Sequence, residues 1–171
     1  MANKDVKWLT ALEEQWLRKQ RRIAKDRASA YEQAGIYAAW RDIFRQYTLL
    51  ARHDLEALKR ALYLCWAERS QNPLSSGIKD LDEDAVREVL AAANELAGTD
   101  RLDAELRWML SYYHLVEPSY VDRFDDLEDL KRISEQDPLL YRKDCLKCSF
   151  GNRGHMGRYW KAKQAVLRQW P

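Results

Sequence analysis

The amino-acid sequence predicts an all-α fold, and three observations lead to this prediction. Apolar residues recur at steps of three and four positions through most of the chain, which is the spacing of one helix face. No segment shows a convincing alternation of apolar and polar residues, so strands are not expected. The chain has only six glycines and four prolines, and so few turn residues favour long helices over many short strands.

The length of 171 residues suits one domain. A compact chain of this size buries roughly 70% of its extended surface, which is enough for a core without disulfides. We therefore expect a single all-α domain over residues 1–171, with about six or seven helices. The expected architecture is an irregular bundle of antiparallel helix pairs, with a loop-rich connector at residues 142–157 before a C-terminal helix.

Two apolar stripes predict the first two helices, and Gly35 marks the break between them. The stripes consist of Leu9, Leu12, Trp16 and Ile23, and of Ile36, Trp40, Ile43, Phe44, Tyr47 and Leu50. Asp54 is expected to cap a third helix, because its carboxylate can accept the free N–H groups of the first turn. That helix must end before a loop that contains Pro73 and Gly77.

The middle of the chain predicts a helix with clear signals at both ends. Asp82 is a good N-cap residue, and Glu83 and Asp84 suit the positive end of the helix dipole. Gly98 suits the C′ position, at which helices commonly turn into a left-handed residue.

Three further helices are expected after this one. Thr99 or Asp100 is expected to cap the next helix, and Pro118 marks its end. A short acidic helix is expected over Asp125–Glu135, and a basic C-terminal helix over Tyr159–Trp170.

The net charge of +2 conceals a strong segregation of charge. Residues 1–60 carry a net charge of +5, residues 61–141 carry −10, and residues 142–171 carry +7. One interpretation is that basic ends fold against an acidic middle, since opposite charges in one small domain attract within about 8–10 Å. The other is a molecule with separate faces, an acidic face for a basic partner and a basic face for an anionic one.

The cysteine content and the start of the chain favour a cytoplasmic protein. The sequence shows no hydrophobic signal region after Met1 and no run long enough to span a membrane. Three cysteines is an odd number, and in a reducing cytosol we expect thiols that are free or bound to metal.

The most distinctive segment is Asp144–Trp160, which reads DCLKCSFGNRGHMGRYW. Cys145 and Cys148 have the spacing of two thiolates on one zinc ion, and His155 is a third candidate ligand. A structural zinc site usually has two ligand pairs, and a fourth ligand is missing nearby. We therefore expect no cofactor, with a small zinc-stabilised helical domain as the minority alternative.

The same segment contains candidate binding residues. Arg153 and Arg158 offer planar hydrogen-bond donors, and Trp160 offers an aromatic face. The alternative is a connector whose glycines turn the chain and whose aromatic residues fill the core.

The sequence also bears on two other functions, nucleic-acid binding and catalysis. The basic stretch that contains Arg18, Lys19, Arg21, Arg22, Lys25 and Arg27 suggests a nucleic-acid-binding helical protein that uses its basic N- and C-terminal helices. The pI of about 8.4 and the acidic middle oppose this alternative. Catalysis lacks a recognisable motif. His114 could meet the acidic residues that follow Pro118, but a histidine in this position is more often part of the core.

Four stretches resemble small uncharacterised all-α bacterial proteins, some of which are suspected immunity-type partners of toxins. They read LEALKRALYLCWAE, GIKDLDED, LDAELRWMLSYY and CSFGNRGHMGRYW. The resemblance implies a protein partner and brings no catalytic residues with it.

We therefore expect a non-enzymatic protein-binding module that binds a basic partner through its acidic middle, in the manner of an immunity protein or antitoxin. Complementary potentials speed such an association. The sequence leaves the oligomeric state open. The acidic candidate residues are Asp80, Asp82, Glu83, Asp84, Asp122, Asp125 and Asp126.

Overall fold

The computed structural model describes residues 5–23 and 28–169. Within these ranges all regular secondary structure is helical, with eleven α-helices, one 3-10 helix and no strand. This confirms the predicted all-α class, but the helices outnumber the predicted six or seven. The unpredicted α-helices have only four to six residues each, which is too short for a helical period to be visible in sequence.

The chain forms two compact units, Met1–Val89 and Leu90–Pro171. The elements of the first unit are α1 (Val6–Arg21), α2 (Ala28–Gln33), α3 (Ile36–Leu50), α4 (Leu55–Ser70) and α5 (Pro73–Ser76). The boundary between the units falls within α6 (Glu83–Gly98). The elements of the second unit are α7 (Ala104–Val116), α8 (Ser119–Asp122), α9 (Glu128–Ser134), the 3-10 helix Pro138–Tyr141, α10 (Arg142–Lys147) and α11 (Gly154–Leu167).

In the first unit, α3 packs against α1, α2 and α4. The predicted break at Gly35 is present, since this residue has a φ of 72° at the start of α3, a conformation that glycine adopts without steric cost. The predicted cap at Asp54 is confirmed, because its carboxylate accepts a hydrogen bond from the Ala57 N–H at 3.0 Å. The largest fully buried side chains of this unit include Tyr31, Trp40, Tyr47, Tyr63 and Trp66.

The buried face of α1 differs from the predicted apolar stripe. Leu12 and Trp16 are only partly buried, whereas Glu13 and Gln20 are buried. These polar residues can face the core because they have hydrogen-bond partners there. Gln20 donates to the Ser75 carbonyl at 2.9 Å and accepts from the Trp40 indole N–H at 3.4 Å. Sequence periodicity cannot reveal such pairing, so it placed the core on the neighbouring face of α1.

A buried ionic network joins α1, α3 and α4. The Arg60 guanidinium lies 3.4 Å from the Glu13 carboxylate, donates to Tyr47 Oη at 3.0 Å and also donates to Glu56 at 2.8 Å. The Tyr47 hydroxyl donates to Glu13. Burial, and after it the Glu13 charge, raise the pKa of Tyr47 above its ordinary value, so the phenol stays protonated. The network therefore holds one cation and its carboxylate partners inside the unit.

In the second unit, α7 is the central element. It contacts α8, α9, the 3-10 helix and α10. The Trp160 indole of α11 is fully buried and donates to Tyr113 Oη at 3.0 Å, and its ring centroid lies 4.3 Å from that of Trp108. Aromatic contacts at such distances add to the free energy gained by burial alone.

The ends of the helices in the second unit correct two predictions. The N-cap of α7 is Asp103, not Thr99 or Asp100, and its carboxylate accepts from the Leu106 N–H at 2.7 Å. Asp100, with a φ of 55°, takes the left-handed position that was assigned to Gly98. The Arg101 N–H accordingly donates to the Leu96 carbonyl at 2.9 Å, which is the hydrogen bond of a Schellman motif.

The connector predicted at residues 142–157 is also more helical than expected. It contains α10, and α11 begins at Gly154 rather than at Tyr159. The described part of α11 ends at Leu167, and Trp170 lies outside the described residues. The loop between α10 and α11 is therefore short.

Substitution Arg60→Met should lower the free energy of unfolding by about 3–5 kcal/mol, because it removes the buried guanidinium that lies 3.4 Å from the buried Glu13 carboxylate. Urea denaturation measures this change. The matched control is Arg45→Met, which removes an exposed pair with Asp42 and should change stability by less than about 1 kcal/mol. Equal effects of the two substitutions would contradict the role of the buried network.

Candidate binding site

The first group of acidic candidates lies at the start of α6 in the first unit. Asp80, Asp82, Glu83 and Asp84 are all exposed. Asp82 caps the helix as predicted, since its carboxylate accepts from the Ala85 N–H at 3.0 Å. Asp80 lies 3.6 Å from the ammonium group of its sequence neighbour Lys79. Asp84 forms no ion pair with any described residue.

The second group lies between α7 and α9 in the second unit. Asp122, Asp125 and Asp126 are exposed. Asp122, the last residue of α8, lies 3.1 Å from Nε2 of His114 on α7. This contact brings together two residues that the sequence only suggested might meet. Asp125, like Asp84, forms no ion pair with any described residue.

A pocket of about 240 Å³ lies beside His114. Its lining comes from α7, from the end of α9 and from the segment that follows α9: Ser111, His114, Leu115, Ser134, Glu135, Gln136, Asp137 and Pro138. The hydroxyls of Ser111 and Ser134 form no hydrogen bond with the His114 imidazole in the part of the chain that the structure describes. Ser111 Oγ instead donates to the Arg107 and Ile133 carbonyls at 2.9 and 3.3 Å. The pocket therefore lacks a nucleophile coupled to a base, and its polar groups suit binding.

Side chains that flank the Asp144–Trp160 segment join the ends of α10 and α11 to each other. The buried Gln164 side chain donates to the carbonyls of Cys145 and Cys148 at the end of α10, both at 3.0 Å. Arg142, the first residue of α10, donates to the Leu167 carbonyl at the end of α11 at 2.9 Å. The last carbonyls of a helix have no partner within it, so these side chains cap the two helices reciprocally.

The three binding candidates of this segment have different environments. Arg153 forms a two-pronged ion pair with Glu105 at 2.6 and 3.0 Å, with little exposure of either side chain. Trp160 is fully buried, so its ring is part of the core. Arg158 is exposed on α11. Of the three, only Arg158 lies on the surface.

The cysteines do not lie in a metal-binding arrangement. Among the described residues no three His, Cys, Asp or Glu side chains gather closely enough to hold a metal ion, and this part of the chain includes Cys145, Cys148 and His155. Burial, with a smaller effect of Cys148, raises the pKa of Cys145 to about 12. Among the described residues, the fold therefore does not bring a set of zinc ligands together.

A shallow groove of about 350 Å³ lies between α1 and α3 in the first unit. Its lining includes Trp8, Leu12 and Trp16, and Trp8 is 44% exposed. The ammonium group of Lys19 lies 4.6 Å from the centre of the Trp16 ring, a cation–π contact. These tryptophans remain outside the core because Glu13 and Gln20 occupy the buried face of α1.

The basic residues proposed for nucleic-acid binding are also on the surface. Arg18, Lys19, Arg21 and Arg22 are exposed on or just after α1, whereas Lys25 and Arg27 lie outside the described residues. No described helix is long and apolar enough to cross a membrane. Comparisons of the chain with protein-family models, curated proteins and solved structures found no match.

Substitution Gly157→Ala should destabilise the protein by about 1–3 kcal/mol, because a Cβ atom at this position would clash with the Phe150 carbonyl oxygen. Thermal unfolding measures the effect. The control is Gly151→Ala, where an added Cβ meets no atom within 4 Å. If Gly157→Ala were as stable as wild type, the close approach of α11 to Phe150 would be contradicted.

Alkylation should distinguish the three thiols. Only thiolates react with iodoacetamide, and burial raises the pKa of both Cys65 and Cys145. Near pH 8 we therefore expect the half-buried Cys148 to be modified first, as peptide mass spectrometry would show. Denatured protein, in which all three thiols should react alike, is the control. Modification of Cys145 as fast as Cys148 would contradict the packing of α10.

Proposed function

We propose that this chain is a non-enzymatic protein-binding module that binds a basic partner through its acidic middle, in the manner of an immunity protein or antitoxin. The observation that carries the proposal is the exposure of all seven acidic candidates. Asp84 and Asp125 in particular form no ion pair with any described residue. Carboxylates that were already paired with basic residues of the chain would attract a basic partner only weakly.

The contacts that two of these carboxylates make within the chain support the same proposal. Asp80 and Asp122 contact Lys79 and His114, which are close to them in sequence. Exposed pairs of this kind contribute little free energy and are readily exchanged for other partners. A basic protein could therefore displace them at small cost, and its potential would complement that of the acidic surface.

The proposal suits a bacterial cytoplasmic protein, the setting that the sequence favours. A basic toxin that acts on nucleic acid would have the charge that such a partner requires, because complementary potentials speed association. The rival function, nucleic-acid binding, rests on the exposed cations of α1 and would require the same molecule to tolerate the repulsion of its acidic segments.

Capture of a basic partner tests the proposal. Tagged protein should co-purify a basic protein from native lysate, and Asp84→Asn/Asp125→Asn should weaken retention about five- to thirty-fold, which corresponds to about 1–2 kcal/mol. Neither carboxylate has an ion pair to lose within the described chain, so the expected cost to folding is only the helix-dipole interaction of Asp84 in the first turn of α6, about 0.3–1 kcal/mol. The matched control, Glu32→Gln/Asp42→Asn, changes the net charge equally at exposed sites outside the acidic segments.

Three results would contradict the proposal: recovery of no basic partner, equal retention by the double variant and wild type, or equal loss in the control variant. A gel-shift experiment separates the rival function. We expect no shift of DNA or RNA at low salt, and a shift that disappears in Arg18→Gln/Arg21→Gln would favour nucleic-acid binding.

A further inference from the structure

The pocket beside His114 contains a buried hydroxyl that forms no hydrogen bond within the part of the chain that the structure describes. Ser134 is 1% exposed, and its Oγ forms no hydrogen bond with any described residue. Such a group loses its hydrogen bonds to water without replacing them, which is rare in folded proteins. A ligand that offered Ser134 a hydrogen-bond donor would restore what burial removed.

The other polar groups of the pocket are mainly hydrogen-bond acceptors. Glu135 and Asp137 are exposed carboxylates at its edge. One oxygen of Asp137 accepts from the Leu139 N–H at 2.9 Å, which leaves the other free to bind. Asp122 adds a third negative charge next to His114. Ser111 already donates to backbone carbonyls. Acceptors and negative charge together suit a cation that only donates.

His114 lines the pocket but contacts Asp122, and the nearby Lys131 and Arg132 do not fill this role either. Lys131 approaches the backbone carbonyl of Asp122 at 3.4 Å, and Arg132 pairs with Asp129 at 2.9 Å. Neither residue lines the pocket. The carboxylates at its edge are therefore left to an external cation.

The size and the apolar wall of the pocket limit what it can hold. Its volume of about 240 Å³ is smaller than the roughly 300–1,000 Å³ of typical small-molecule sites. Leu115, which is 68% exposed, and Pro138 form an apolar side. Lysine and arginine bury an aliphatic stem along such a surface while the charged end binds polar groups.

We propose that this pocket receives the side chain of one arginine or lysine of the basic partner. The charged end binds at Ser134, Glu135 and Asp137, and the stem lies against Leu115 and Pro138. This inference rests on the proposed function and specifies where one contact with the partner is made. It concerns residues other than Asp84 and Asp125, so the pocket inference and the proposed function can be tested separately.

Three capped peptides test the inference on the full chain: acetyl-glycyl-arginyl-glycinamide and its lysyl and glutaminyl counterparts. Each is titrated at low salt while the backbone amide signals of residues 134–137 are followed by NMR. We expect saturable shifts with the arginyl and lysyl peptides, and none with the neutral glutaminyl peptide. A response to only one of the two basic peptides would identify which side chain the pocket takes.

Two variants and one control show whether the shifts arise in the pocket. Ser134→Ala and Glu135→Gln should each weaken binding of the basic peptides several-fold. Glu128→Gln, an exposed carboxylate on the same helix outside the pocket, should leave binding unchanged. Because Ser134 Oγ forms no hydrogen bond in the described chain, the Ser134→Ala variant should have a melting temperature no lower than that of wild type. A hydroxyl with a structural role would instead lower the melting temperature when it is removed.

Equal shifts with the glutaminyl peptide, no saturable shift with any peptide, or unchanged binding by both variants would overturn the inference. A lower melting temperature of Ser134→Ala would also count against it, because the hydroxyl would then have a structural partner. The peptides could fail to bind the pocket while Asp84→Asn/Asp125→Asn still loses partner capture. That result would contradict the role of the pocket and would still support the proposed function.

Discussion

The burial of Trp160 is the contact on which the second unit depends. Its indole donates to Tyr113 on α7, and its ring packs on Trp108 of the same helix. Gly157, one turn earlier on α11, allows the close approach to Phe150 that brings this tryptophan into the core. Since α7 also carries His114 and the pocket wall, the aromatic packing that fixes α7 also fixes the geometry of the candidate site. The segment that looked most like a functional site in sequence is therefore a structural support for a site elsewhere.

Charge is used in two different ways in this protein. Arg60 and Arg153 are largely buried and bind carboxylates directly, and removing one partner of such a pair leaves a charge that water cannot reach. The carboxylates of Asp84 and Asp125 are exposed and have no ion pair in the described chain. Buried pairs thus contribute to the specific packing of each unit, whereas the exposed carboxylates contribute to the electrostatic field at the protein surface.

The sequence predicted what local chemistry determines and missed what tertiary contacts determine. Long apolar periods and the caps at Asp54 and Asp82 identified several helices, because these signals act within one or two turns. The buried face of α1 was misplaced because the partners of Glu13 come from distant helices. The pocket had no sequence signal, because only the fold places His114 and Ser134 in the same lining. No local pattern shows that the Ser134 hydroxyl forms no hydrogen bond with any described residue.

The salt dependence of stability tests the central claim, that the acidic surface is left unneutralised by the chain itself. Raising NaCl from about 10 mM to about 1 M shortens the Debye length from about 30 Å to about 3 Å. If exposed carboxylates mainly repel one another, screening should raise the melting temperature of wild type, and the rise should be smaller in Asp84→Asn/Asp125→Asn. The buried pairs are screened much less. A marked fall in the melting temperature with salt would contradict the account, because it would mean that the acidic segments are held by attraction to the chain's own basic residues.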